Sequence, residues 1–309
     1  MSETGVAVTA CPACDGADTR QVGDAAGGFD TDLAGRHFYQ PPYVVRECAA
    51  CGLYFKSMTL TAAHLDEYYA ALDGSTFDVD GDFPTDRVLH RRLRTLPRGS
   101  RVLDFGCSTG RILKDLTTQL VCVGVEPNQP AAAVARARGI EIVPAVQLTV
   151  DDRPFSAILL TDVFEHLAEP MPLLTLLASR LSPGGWLGLV TGNADAIAPR
   201  RRLAEFWYFR LPGHLIMLGE RHLSWLSTQL GLRLDEVQRC SHYRVAFAER
   251  LRQRAQAFAY DAFKDSPSGP LAGALAMMPG LARARGWTSA PALNYRADHV
   301  VAFLASPNR

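Results

Sequence analysis

The chain has 309 residues, 48% of them apolar, and its 32 basic side chains balance 32 acidic ones. That composition suits a protein with a substantial core, and no net field draws it to nucleic acid or to an anionic membrane. The start, Met1-Ser2-Glu3-Thr4-Gly5, has no basic or apolar signal, and no run reaches the roughly 20 apolar residues of a membrane span, so a cytoplasmic protein is expected. The length exceeds the ~100–200 residues usual for one domain, which predicts one large domain with an appendage.

Two C-x-x-C knuckles come first, Cys11-Pro-Ala-Cys14 and Cys48-Ala-Ala-Cys51-Gly52, with 33 residues between them. Four thiolates on two knuckles fit one tetrahedral Zn²⁺ with bonds of about 2.3 Å. Disulfides suit secreted chains, and a redox C-x-x-C stands once beside a βαβ unit. A closed four-cysteine shell leaves no open position, so this zinc is expected to be structural. The flanks Tyr43–Glu47 and Leu53–Lys56 predict a β-hairpin carrying the second knuckle, and residues 15–47 read otherwise as a long loop and strand. The zinc ribbon is assigned to residues 1–60, followed by a helical connector over 61–98. The connector has a helix from Thr61 to Leu72, a loop from Asp73 to Pro84 and a helix from Asp86 to Leu96, on which Arg91, Arg92 and Arg94 read as a solvated face.

The organising stretch is Arg101-Val-Leu-Asp104-Phe-Gly106-Cys107-Ser-Thr-Gly110. An apolar strand enters a glycine turn, and Arg111 onward is predicted to start a helix. A second strand, Val121–Val125, ends on Glu126. Such a unit binds an adenosyl ligand, because glycine lets backbone approach it and an acid at the second strand's tip chelates the ribose diol. A nicotinamide or flavin site would carry G-x-G-x-x-G, which this turn lacks. Pro127–Arg138 reads as a capped helix, Ile140–Val143 as a third strand and Phe155–Thr161 as a fourth, with Asp162-Val-Phe-Glu165-His166-Leu after it. A helix over 172–181 and a strand over 186–191 follow.

Residues 193–215 mix aromatic and basic side chains where this architecture places its substrate. Trp207, Tyr208, Phe209, Arg210 and His214 either wall a pocket or pack a lid helix, and Arg200–Arg202 are either solvated or a phosphate clamp. A helix over 220–230 leads to a strand over 232–237. Two helices, 244–264 and 271–285, precede a last strand, His299–Leu304. Cys107, Cys122 and Cys240 read as small packing residues.

Asp-x-Gly-x-x-x-Gly, Glu126 and Asp-x-x-Glu-His-Leu together resemble class I S-adenosylmethionine (SAM) dependent methyltransferases. With the cysteine knuckles, the chain is similar to sugar C-methyltransferases and related bacterial small-molecule enzymes, although it is too short for the sugar enzymes' further C-terminal domain. The resemblance implies an α/β Rossmann-like sheet with an N-terminal zinc-ribbon lobe and a helical substrate cap. The methyltransferase domain would span 99–309, with cap segments at 195–220 and 241–294. It implies that Asp104, Gly106, Cys107, Gly110, Glu126, Val146 and Asp162 bind SAM, with Gly106 and Gly110 against its methionine half and Glu126 on both ribose hydroxyls. The acid that such enzymes often place after the third strand is missing from Pro144–Leu148, which leaves an apolar adenine slot. His166 and His214 are the candidate bases.

Three functions follow. The leading one is methylation of a small molecule. An RNA methyltransferase gripping its substrate with the ribbon would want a basic ribbon, and residues 1–60 are acidic or balanced. A non-catalytic SAM-binding scaffold is the third.

Overall fold

The computed structural model describes residues 4–72, 83–197, 200–287, 290–291 and 297–308. The predicted loop from Asp73 lies largely outside the described residues. The N-terminal lobe is built from β1 (Gly5–Ala7), β2 (Thr19–Ala26), β3 (Phe29–Leu33), β4 (Arg36–Gln40), β5 (Tyr43–Cys48), β6 (Tyr54–Lys56) and β7 (Met58–Leu60). Tyr43 and Val45 of β5 are buried while Val44 and Arg46 are half-buried, the period of two that marks a strand with one face on a core. β5 pairs antiparallel with β6 around the second knuckle, as its flanks predict. Residues 15–47 are not a long loop: β2 runs antiparallel to β5, and β3 and β4 form a hairpin.

Helix α1 (Ala62–Ala71) is capped by the Thr61 side chain, which accepts from the His64 amide, and α2 (Pro84–Leu93) starts on a proline at its first position. The chain then lays down β8 (Arg101–Phe105), β9 (Val121–Val125), α3 (Gln129–Ala137), β10 (Glu141–Ile142), β11 (Phe155–Thr161), α4 (Pro170–Ser179) and β12 (Leu181–Gly192). After these come β13 (Ile216–Met217), α5 (Glu220–Gln229), β14 (Arg233–Cys240), α6 (Phe247–Asp265), α7 (Pro270–Ala276), α8 (Pro279–Ala282) and β15 (His299–Ala305).

Seven strands form the main sheet in the order β10-β9-β8-β11-β12-β15-β14. β8 to β12 pair in parallel, and β15 inserts antiparallel between β12 and β14. Every residue of β15 is buried, the continuous apolar run of a strand covered on both faces. The strand order reverses beside β8, between its neighbours β9 and β11, and an open α/β sheet binds ligands at the carboxyl ends of the strands there.

Two predicted helices change. After Gly110 the chain makes turns and a three-residue 3-10 segment, Lys114–Leu116. The amides of Leu113 and Leu116 reach back only three residues, to Gly110 and Leu113, and Thr117-Thr118 adds little helical propensity. The helix expected over 271–285 breaks at Pro279, which holds Met278 extended (φ −99°, ψ 104°).

The two lobes share a sheet. β13, from the segment after β12, adds to β6, giving the order β13-β6-β5-β2 with Ile216 opposite Phe55 and Met217 opposite Tyr54. Leu203, Phe206, Tyr208 and Phe209 are buried in one cluster with Tyr43, Val45 and Tyr54 of the lobe. At roughly 1.5–3 kcal/mol per fully buried large apolar side chain, this interface is a core rather than a loose contact. Tyr208 and Phe209 therefore pack a core, and Arg210 lies over the Phe29 ring.

Four of the arginines predicted to be solvated or to hold phosphate, Arg91, Arg92, Arg201 and Arg202, are paired within the chain. Arg92 meets Asp235 at 2.6 Å and Glu236 at 3.3 Å, and Arg91 meets Glu236 at 3.2 Å. Arg202 is buried beside Asp265 at 2.7 Å, with Asp261 and Glu205 near, and Arg201 also pairs with Asp265. Sequence spacing showed the positive charges but not the carboxylates that α6 and β14 bring to them.

Candidate active site

Three features shape the turn after β8. Gly106 (φ 78°), Ser108 (φ 48°) and Gly110 (φ 81°) all have left-handed backbone. A Cβ on Gly106 would sit 2.5 Å from Val163 Cγ2, and one on Gly110 would meet Ile140 Cδ1. Both glycines are thus required by protein neighbours as well as by φ, and what they offer a ligand is backbone. The carbonyl of Val125, at the tip of β9, accepts the amides of Gly106 (2.8 Å) and Cys107 (3.1 Å) and holds the turn against the sheet.

Glu126 follows on β9 and is half-buried. Its Oε2 accepts the Ser108 amide at 2.9 Å and its Oε1 the Asn128 amide at 2.7 Å. A carboxylate oxygen has two acceptor positions, so each retains one for a ribose hydroxyl. Asp104 is buried with no partner for Oδ1 among the described residues, and burial pushes its carboxyl up to about 7. The Cys107 thiol is buried, packs over Gly124 of β9, and is pushed up by burial. Val146 is 71% exposed on the 3-10 turn Ala145–Thr149 that follows β10.

Beyond β11, Asp162 takes left-handed backbone (φ 54°) and the Phe164–His166 turn follows. Glu165 is 1% exposed; its Oε2 accepts from Thr191 Oγ1 at 2.8 Å, and that hydroxyl lies 2.9 Å from the Tyr208 hydroxyl. Burial raises both Asp162 and Glu165. His166 Nδ1 lies 3.0 Å from the Gly213 carbonyl, which fixes the proton on Nδ1 and leaves Nε2 as the basic nitrogen. His214 meets His166 edge-on at 4.7 Å, and its Nδ1 has no partner among the described residues. Burial lowers both imidazoles, His214 further, with the neighbouring His166 ring adding to it. Both are neutral, proton-accepting groups near pH 7. One ligand-type atom from each of Glu165, His166 and His214 lies within 4.8 Å of the others.

Tyr69 lies on α1, whose helical spacing carries no site signal. Its hydroxyl reaches His166 Nδ1 at 3.1 Å and the Gly213 carbonyl at 2.9 Å. His242 and His299 also gather at this end of the sheet, and nothing in their sequence spacing announced it.

The four knuckle cysteines converge, with Sγ atoms within 4.8 Å of one another. Cys11 and Cys51 are 3.4 Å apart, and Cys14 and Cys48 are 3.5 Å apart. A tetrahedral shell with bonds of ~2.3 Å has sulfur–sulfur edges of roughly 3.8 Å, so the donor set fits zinc. The Cys51 thiol holds Cys11 below the ordinary thiol range, while burial raises Cys14 and the contact with Cys11, together with burial, raises Cys51. His222 of α5 places its ring Nδ1 3.2 Å from the Cys51 carbonyl, tying the second knuckle to the main domain.

The glycine turn, Glu126 and the acid-and-imidazole cluster all lie within the span of a known family, the methyltransferase domain, whose profile matches residues 83–237. The chain belongs to that family. Residues 83–237 form a SAM-dependent methyltransferase domain on a Rossmann-like mixed sheet. The ubiquinone biosynthesis O-methyltransferase of Xanthomonas axonopodis pv. citri is 29% identical over 162 residues, 46% of this chain and 66% of that protein. The enzyme of the same name from a Caulobacter species is 33% identical over 110 residues, 32% of this chain and 44% of that one. The methyltransferase thus spans less than two thirds of the length of these relatives. A TehB-like SAM-dependent methyltransferase of Corynebacterium glutamicum aligns over 79% of this chain and 98% of its own, at 16% identity and a TM-score of 0.42. Among the described residues, no helix of the methyltransferase is long and apolar enough to cross a membrane.

Proposed function

We propose that this methyltransferase methylates a hydroxyl of a small-molecule acceptor, a sugar, glycan precursor or specialised metabolite. The observation that carries the reading is the pair of half-buried His166 and buried His214, neutral bases beside Glu165 at the carboxyl ends of β11 and β12. Bound SAM supplies a methyl group on a positively charged sulfur. The chain's own residues do the rest. The Gly106–Gly110 backbone and Asp104 shape the cofactor loop, Glu126 takes the ribose hydroxyls, and Val146 and Asp162 border the site. His214 Nδ1 or His166 Nε2 accepts the acceptor's proton, which makes its oxygen a better nucleophile. Tyr69, Gly213 and Thr191 hold the His166 and Glu165 side chains, so the proton acceptor is already oriented when substrate arrives.

Cys11, Cys14, Cys48 and Cys51 hold a structural Zn²⁺, and the ribbon's task is to clamp the 200–222 segment that carries His214. The relatives' names, O-methyltransferases of ubiquinone biosynthesis, support an oxygen acceptor. The internal pairing of Arg91, Arg92, Arg201 and Arg202 weighs against an RNA substrate, which would need free cations for its phosphates.

The test is transfer of a radiolabelled methyl group from SAM into a size-fractionated extract of the source cells. Label in the small-molecule fraction is expected and supplies the product to identify. Label confined to RNA overturns the reading. Protein that binds SAM and labels nothing points to the scaffold reading instead.

A further inference from the structure

A second imidazole-and-carboxylate cluster lies at the same end of the sheet, outside the His166–His214 pair. It joins distant parts of the chain: Asp162 after β11, His242 two residues past β14, and His299 at the start of β15. Antiparallel pairing sets Cys240 opposite His299, which is what brings His242 over it. The two rings stack with centroids 4.3 Å apart at 29°.

Each of the three residues presents one buried atom with no hydrogen-bond partner among the described residues: Asp162 Oδ1, His242 Nδ1 and His299 Nε2. One ligand-type atom from each lies within 4.8 Å of the others, and His299 Nε2 is 4.0 Å from Asp162 Oδ1. Three orphaned lone-pair donors facing one another are costly unless something between them accepts all three.

A fourth residue completes the arrangement. Asp298, fully buried, places Oδ1 3.2 Å from His299 Nδ1 and accepts the His242 amide at 2.9 Å. A carboxylate on Nδ1 fixes the proton there and turns a basic Nε2 toward Asp162, as the outer-shell carboxylates of metal-bound histidines do. The Asp162 side chain keeps 32% of its surface open, so this cluster has an entry side, whereas Asp298 behind it has none.

We propose that Asp162, His242 and His299 bind a divalent transition-metal ion such as Zn²⁺, Fe²⁺ or Mn²⁺, with Asp298 as the positioning group behind His299. Two imidazoles and one carboxylate suit these ions, and they leave coordination positions open. The inference deepens the methyl-transfer reading above and rests on it for its purpose. An acceptor hydroxyl coordinated at the open positions loses its proton to a neighbouring neutral imidazole or to water. The resulting oxygen then takes the methyl group as the sulfonium becomes a neutral thioether.

The test is metal stoichiometry of the full chain, with the cysteine site already loaded with zinc. Cobalt added to that protein should fill a second site with weak d–d bands and no thiolate charge-transfer band. His242→Ala should remove the second equivalent while the zinc is retained, and Asp298→Asn should weaken it by about 10–100-fold. A wild-type chain that holds only the first ion overturns the proposal, whatever the variants do. So does a second equivalent that persists in His242→Ala; His299 then acts as a protonated bridge between Asp298 and Asp162. Calorimetric SAM binding separates the two readings. SAM bound without a second ion sinks the metal site alone, and a chain that binds no SAM sinks the methyl-transfer reading beneath it.

Discussion

The side-chain nitrogen of Lys56 donates to the main-chain carbonyl of Leu211 at 2.9 Å, from a side chain with no exposed surface. This bond joins the N-terminal lobe to the segment that carries His214. Burial drives the Lys56 pKa well down, and the charge of Arg210 adds to the shift. A lysine lowered in the folded state costs stability wherever the unfolded chain would be protonated. The cost is therefore present below the unfolded value of ~10.4 and fades as pH rises toward it. Lys56→Met should raise the melting temperature at pH 7 and raise it less at pH 10. Equal shifts at the two pH values would mean that the lysine is charged where it lies.

Removing the zinc should loosen more than the ribbon. β13 belongs to the lobe's sheet by pairing and to the main domain by connection, and His222 contacts Cys51. Chelation should lower the melting temperature by about 2–4 °C for each kcal/mol of lost metal binding. Hydrogen exchange should quicken at Ile216–Met217 and the first turn of α5 as well as in β5 and β6. If only the ribbon strands lose protection, the lobe does not clamp the cap.

Glu126 separates a ligand role from a structural one. Its two oxygens already hold the Ser108 and Asn128 amides, so some loss of stability is expected on truncation. If it also holds the ribose diol, Glu126→Ala removes two hydrogen bonds to a charged group at ~1.5–3 kcal/mol each, a loss of about 10²–10⁴-fold in SAM affinity. Calorimetry gives the affinity and a thermal melt the stability. Wild-type affinity with a lowered melting temperature would make Glu126 a loop brace only.

These residues were legible in sequence for a physical reason. Strand, glycine turn and acidic tip are adjacent in the chain, and positive φ at Gly106 and Gly110 limits which residue can stand there. His242, His299 and Tyr69, which join Asp162 and His166 at this end of the sheet, are a different case. They meet only through the β14–β15 register and through α1 docking on the Gly213 carbonyl, and neither is encoded by local spacing. The aromatic run 207–209 stays open between a pocket wall and packing for the same reason: its composition suits either, and the partner surface that decides for packing, Tyr43 to Tyr54, lies some 160 residues earlier in the chain.

His214 gives the sharpest test of chemistry. Burial lowers its pKa well below 6.5, with the adjoining rings of His166 and His299 adding to the shift. An imidazole lowered in this way keeps its basic form as pH falls through 6.5 and loses it only below. The acid limb of kcat/KM should therefore fall beneath the ordinary histidine range. His214→Ala should lower kcat by about 10²-fold or more, the usual worth of a positioned base, and leave SAM affinity within about twofold. The buried ring sits between His166 and Tyr208, so a melt of the variant must accompany the kinetics. A folded His214→Ala enzyme with wild-type turnover would make His214 a packing residue and leave His166 Nε2 as the base. An acid limb at or above 6.5 that disappears in the variant would instead keep His214 as the base in a wetter site than its burial implies.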